Sequence, residues 1–172
     1  MFKQVFLVKL LILGCTFMAQ AQLAEDIREA AQMYAQANLN EDYELLLDFT
    51  YPSVIEHAGG RDAYKKTLIQ LNEIQKSRGM KLNEFIIKEP MEHVKAGNEY
   101  HAIVPYKMIS QVKGGKLSSE NTLIAVIAEG KDKWYFIETT SLTEKNLVKV
   151  LPTWDHTLTL PLKKAPIYQE DK

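Results

Sequence analysis

The stretch from Asn38 to Leu71, NLNEDYELLLDFTYPSVIEHAGGRDAYKKTLIQL, restricts the fold more than any other part of the chain. It reads as helix, sharp break, short helix, glycine break, helix. Asn40 is placed to cap a helix carrying Tyr43, Leu46 and Leu47 on one face. That helix must stop before Tyr51-Pro52, because proline disfavours helical geometry at the residue preceding it. Ser53-Val54-Ile55-Glu56 has the form of a capping box and restarts a helical turn. Gly59-Gly60 ends the turn, since glycine tolerates the left-handed geometry of a helix C-terminus. From Arg61 to Gly79 the positions Tyr64, Leu68, Leu71 and Ile74 recur at helical spacing.

Everything after Met80 changes period. Lys81 to Lys88 holds Phe85-Ile86-Ile87 and is interrupted by Glu89-Pro90, which predicts a bulge or an edge position. Met91 to Lys95 continues the strand to a turn at Ala96-Gly97-Asn98. Tyr100 to Val112 is rich in β-branched and aromatic residues, with Pro105 again arguing for an edge or bulge. Gly114-Gly115 turns into Leu117–Ala128, and Gly130-Lys131-Asp132 turns into Trp134–Thr140. These spacings predict about four strands in antiparallel meander order. Leu123–Ala128 and Trp134–Ile137 are apolar on both alternating faces, so those strands must be covered on both sides. Helices supply one cover. A second copy of the chain, or the C-terminal segment, supplies the other.

The ends read differently. Lys3 and Lys9, the run Leu10-Leu11-Ile12-Leu13 and the site Ala19-Gln20-Ala21 describe a secretory signal peptide over residues 1–21, too short to span a bilayer. The chain is therefore expected to be exported, to the periplasm or outside the cell, beginning at Gln22. The rival is a lipid anchor on Cys15, since Ile12-Leu13-Gly14-Cys15 loosely resembles a lipobox. Cys15 is the only cysteine, so the exported form lacks disulfides and thiolate chemistry. Cleavage takes two of the 21 basic residues against 22 acidic ones and moves the formal charge from −1 to −3. A mildly acidic surface without charge blocks argues against nucleic acid or an anionic membrane as a partner. Leu23 to Leu39 forms a first helix, with Leu23, Ile27, Ala30, Ala31, Tyr34 and Ala37 on one face. Ser141-Leu142-Thr143-Glu144 opens a short helix that Pro152 stops. Residues 22–151 then make one domain, and 152–172 an extended segment along its surface.

Helices, a YP break, a glycine-initiated helix and a long meander ending in Trp134-Tyr135-Phe136 resemble the NTF2-like superfamily. The resemblance covers roughly Leu23 to Val150. It implies an α+β cone, in which N-terminal helices pack in the concave face of a bent antiparallel sheet, with a cavity at the open end and a homodimer formed through the sheet. Function does not follow, because the superfamily includes isomerases, cyclases, dehydratases and binding modules. Its enzymes place an Asp–His or Tyr–Asp pair in the cavity, and neither pair aligns here.

The candidate chemistry is sparse. His57, His93, His101 and His156 include no H-x3-H pair, and no metal or cofactor is implied. His57, beside the YP break, is either a ligand-facing group or a histidine placed on its own helix's dipole. Glu138 shares a strand face with Trp134 and Phe136, placing a carboxylate at the end of an aromatic row. Tyr43, Tyr51, Tyr100 and Tyr106 supply phenols to a cavity wall or to the core. Gly114-Gly115-Lys116 precedes a strand and is no phosphate loop. Asp155-His156 on an extended segment point apart. The expected site is Tyr43, Tyr51, His57, Trp134 and Glu138 gathered at one opening, with no assigned catalytic residue. It would bind a small apolar ligand or a protein partner. The alternative is an acid–base enzyme of isomerase, dehydratase or cyclase type.

Overall fold

The computed structural model of the chain describes residues 22–89, 92–140 and 142–171. The expected leader and Cys15 lie outside the described residues. Helix α1, residues 22–39, buries Ile27, Ala31, Tyr34 and Ala35 along one face, as its periodicity requires. Three of the residues on its buried surface are alanines (Ala31, Ala35 and Ala37), so the helix can lie close to the sheet.

Helix α2 (Tyr43–Phe49) is capped by Asp42 rather than Asn40: the Asp42 carboxylate accepts the Leu45 N–H at 3.1 Å. Thr50 and Tyr51 then attach to the sheet, with the Tyr51 N–H on the Phe136 carbonyl at 3.0 Å. Helix α3 (Pro52–His57) starts with Pro52 in its first turn and makes no side-chain cap. The expected capping box at Ser53 is therefore absent, because Pro52, lacking an N–H and with its φ preset, already starts the helix and puts Ser53 inside it. Gly59 and Gly60 take φ of 91° and 96°, the turn that only glycine enters readily.

Helix α4 (Arg61–Ser77) buries no residue. Tyr64, Leu68 and Asn72 are half-buried, whereas Leu71 and Ile74 are 52% and 47% exposed. The expected apolar face is thus only partly used. Charge pairs hold the helix to α2: Arg61 with Glu44 (2.7 Å) and Asp48 (2.9 Å), and Lys65 with Glu44 (2.5 Å).

Among the described residues six antiparallel strands follow: β1 (Lys81–Ile87), β2 (Glu92–Ala96), β3 (Glu99–Val112), β4 (Gly115–Ala128), β5 (Tyr135–Glu138) and β6 (Ile167–Glu170). The helices pack against this curled sheet, so the fold is α+β as the element order predicts. Strand order is β1-β3-β4-β5. β2 lies beside β1 along β3, and β6 pairs with β4. β1 pairs with β3 from Tyr106 onward and β2 with β3 up to Ile103. Pro105 falls in the gap between them, within an interior strand rather than at an edge. The missing N–H costs no ladder bond there, and the Pro105 carbonyl accepts the Lys88 N–H at 2.9 Å.

Two cores result. The inner one joins α1, α2 and the sheet through Ile27, Tyr34, Phe49, Phe85, Tyr106 and Phe136. The outer one joins Ile103, Ile124, Val126 and Ile137 to Leu147, Val150 and Leu151 of helix α5 (Glu144–Val150) and its C-cap, and to Trp154 and Leu158 beyond it. The second cover that β4 and β5 call for is therefore supplied by the same chain, and a second copy is not needed to bury that face. The C-terminal segment is more than a surface extension. Its first part is core and its last part is β6. No helix among the described residues is long and apolar enough to cross a membrane.

Candidate functional site

Alternation along β5 sends Phe136 and Glu138 to the helix side, in line with Trp134. The β3–β4 register sets Tyr106 opposite Asn121, and the β4–β5 register sets Leu123 opposite Glu138. Tyr106 and Glu138 are therefore on one face, and the Tyr106 O–H donates to Glu138 Oε1 at 2.6 Å. Phe85 stacks on the Tyr106 ring at 4.5 Å and 11°, fixing the phenol's direction. Tyr34 leans on Phe136 (5.3 Å) and Phe85 (6.2 Å).

The electrostatics of the group are consistent. Burial, and then the negative charge of Glu138, push the phenols of Tyr34, Tyr64 and Tyr106 upward in pKa. All three are neutral phenols at neutral pH, able to donate hydrogen bonds and unable to act as phenolate bases. Glu138 itself is exposed on the solvent side. The arrangement is a buried aromatic cluster with one accessible carboxylate at its edge, oriented by one phenol. Such a carboxylate can accept a hydrogen bond or a proton from a molecule at the protein surface.

The other expected residues go elsewhere. Tyr43 accepts a hydrogen bond from Asn72 Nδ2 at 2.7 Å and links α2 to α4. His57 is exposed, with Nδ1 2.7 Å from the Ser53 carbonyl of its own helix. Tyr51 lies on the outer side, edge-on to Tyr135 (6.4 Å) and 3.5 Å from Glu99 Oε1. Trp134 is buried beside a recess of about 750 Å³ at the start of α1. It is four strand residues, about 13 Å, from Glu138. The five residues therefore do not meet at one opening, and only Glu138 takes part in the inner group. Strand parity correctly places Glu138. Local pattern cannot show that Tyr51, just before Pro52, turns to the other side.

A second polar cluster lies on the outer side. Glu99 and His101 alternate onto that face of β3, a signal readable as E-x-H. His101 is 0% exposed and stacks on Trp154 at 5.8 Å and 12°. Its Nε2 is 3.3 Å from Glu99 Oε2, which also accepts the Thr153 hydroxyl at 2.6 Å. His101 Nδ1 meets no hydrogen-bond partner among the described residues. A histidine–carboxylate pair can serve acid–base chemistry, but this one is enclosed beneath Trp154 and ties the C-terminal segment to β3. The Asp155 carboxylate, held low in pKa first by the Thr157 hydroxyl and N–H, closes a local turn.

Among the described residues no group of three or more His, Cys, Asp or Glu is placed to hold a metal ion. No protein-family model, curated protein or solved structure matches the chain.

Proposed function

We propose that this chain is an exported, NTF2-like binding domain for a small, largely apolar molecule carrying one hydrogen-bond donor. The observation that carries the reading is the 2.6 Å bond from Tyr106 to Glu138, which orients a solvent-exposed carboxylate at the edge of a buried aromatic cluster. The ligand's hydroxyl or amine donates to Glu138, and its apolar part lies against the half-buried edge of the inner core, where Tyr64 feels the Glu138 charge. Thermal-shift screening should find stabilising compounds among amphipathic amines and alcohols. Glu138→Gln should remove the preference for the donor group while leaving the fold intact. Equal shifts with the parent protein and Glu138→Gln would refute this site. Export is checked by intact mass: the mature chain should begin at Gln22, and a lipid-bearing start at Cys15 would replace that view.

A second reading is acid–base catalysis, favoured by the same phenol–carboxylate contact. Glu138 would take a proton from a carbon acid while Tyr106 steadies the carboxylate. Under that reading Glu138→Gln should cost about two to four orders of magnitude in turnover. Under the binding reading there is no turnover to lose.

A further inference from the structure

The chain leaves the outer core at Leu158 and rejoins the sheet as β6 at Ile167. Between them it forms a strap across the outer face of β3, β4 and β5. The strap is anchored by design of the sequence at both ends. Trp154 and Leu158 are buried at one end. At the other, Ser118 pairs with Ile167 and Gly115 with Glu170. A Cβ at Gly115 would collide with the Gln169 carbonyl oxygen and lie 2.9 Å from the Tyr168 ring, so a glycine is required for β6 to dock. In the middle, Lys163 Nζ donates to the carbonyls of Thr140 (2.8 Å) and Leu142 (2.9 Å).

Beneath the strap is a cleft of about 460 Å³. Pro105, Thr122 and Thr139 form its floor, and Pro161 and Leu162 its roof. Leu162 is 91% exposed, a large apolar side chain held at the rim with little protein against it. Small-molecule sites occupy this size range and combine apolar walls with a few polar groups. The charged groups here are three lysines and two glutamates. Lys88 Nζ (2.7 Å) and Lys164 Nζ (2.9 Å) converge on the single carboxylate of Glu120. Glu89, the other acid on the lining, is taken by Arg28 at 3.0 Å. Two ammonium groups sharing one carboxylate, with Lys163 close by, leave the rim with excess positive charge.

We propose that the cleft under the C-terminal strap binds a small amphipathic carboxylate. Its anion is held by Lys88 and Lys164, its apolar part lies between Pro105 and Leu162, and Glu120 acts as the resident competitor. Each ammonium has three N–H donors, so the pair can serve an incoming carboxylate as it now serves Glu120. The charge requirement disfavours a neutral analogue of the same shape and excludes a cationic one. This inference is independent of the Glu138 site, which favours a hydrogen-bond donor and lies on the other face of the sheet.

The test is isothermal titration of the full chain at neutral pH and low salt with octanoate, octanol and octylamine. Octanoate should bind, octanol about tenfold more weakly, and octylamine not at all. Glu120→Gln should tighten octanoate about threefold by removing the competitor, and Lys88→Met with Lys164→Met should weaken it about tenfold. Glu138→Gln should leave octanoate affinity unchanged. The proposal is overturned if octanoate and octanol bind alike, if Glu120→Gln weakens or does not alter octanoate binding, or if Glu138→Gln abolishes it. Circular dichroism of each variant separates loss of binding from loss of fold.

Discussion

The two faces of the sheet are covered by different means. On the inner face, Val104, Tyr106, Leu123, Ala125 and Phe136 meet α1, whose buried residues recur at helical spacing. On the outer face, Ile103, Ile124, Val126 and Ile137 meet one short helix and an irregular stretch in which Trp154 and Leu158 do the covering. The inner cover is spread over three turns and more of a long helix, and the outer one is concentrated in a few side chains. Their polar groups differ in the same sense. Tyr106 and Glu138 lead from the inner core out to solvent, whereas His101 is sealed under Trp154 and its partner Glu99 is half-buried. A carboxylate that opens outward suits a ligand, and one tied to a buried histidine and to Thr153 suits an anchor.

The largest expected effect tests whether the outer cover is as structural as the inner one. Trp154→Ala and Phe136→Ala should each cost about 3–5 kcal/mol in urea unfolding, because each leaves a large cavity in a closed core. Both should unfold in one transition, since β4 belongs to both cores. A Trp154→Ala loss below about 1 kcal/mol would reduce the outer layer to decoration. Next, Tyr106→Phe should cost about 1–2 kcal/mol, as the bond to a carboxylate is lost while Glu138 remains hydrated. No loss would mean the contact does not order the inner site.

A smaller effect is expected at Gly115→Val. The new side chain cannot share space with Gln169 and Tyr168, so β6 should detach while both cores stay intact. Limited proteolysis should then cut within residues 159–171, and far-UV dichroism should change little. Unaltered protection there would show that the strap is held without β6.

The smallest effect is the titration of Glu120. Hydrogen bonds from Lys88 and then Lys164 lower its pKa to about 2 from the ordinary 4.5. A depressed carboxylate stabilises the folded state above its unfolded value and loses that contribution as pH falls through the folded one. The strap should therefore loosen between pH 4.5 and about 2. NMR titration of the Glu120 carboxyl should show the low midpoint, and Lys88→Met with Lys164→Met should return it to the ordinary range.

Local chemistry carried a good part of the fold. The YP break, the glycine pair and the shift from helical to alternating period all occur where the elements change. Competing residues side by side caused the local errors. Asp42 caps α2 in place of Asn40, two residues earlier, and Pro52 starts α3 before Ser53 can. Pro105 misled for a longer-range reason: whether a strand is interior depends on its neighbours, and its neighbour happens to be broken opposite the proline.

The sequence by itself determined the helical and strand periods, the turns, the need for two covers on β4 and β5, and the face to which Glu138 belongs. Each of these is a consequence of residues a few positions apart. Tertiary structure alone decided what the second cover is, which carboxylate meets Tyr106, and which histidine is sealed in. Those outcomes join residues 32 positions apart for Tyr106 and Glu138 and 54 for Glu99 and Thr153. Trp154 and Leu158 lie in a stretch with no repeating period, so nothing local marks them as core. Only closure of the chain over the sheet buries them, and with them His101.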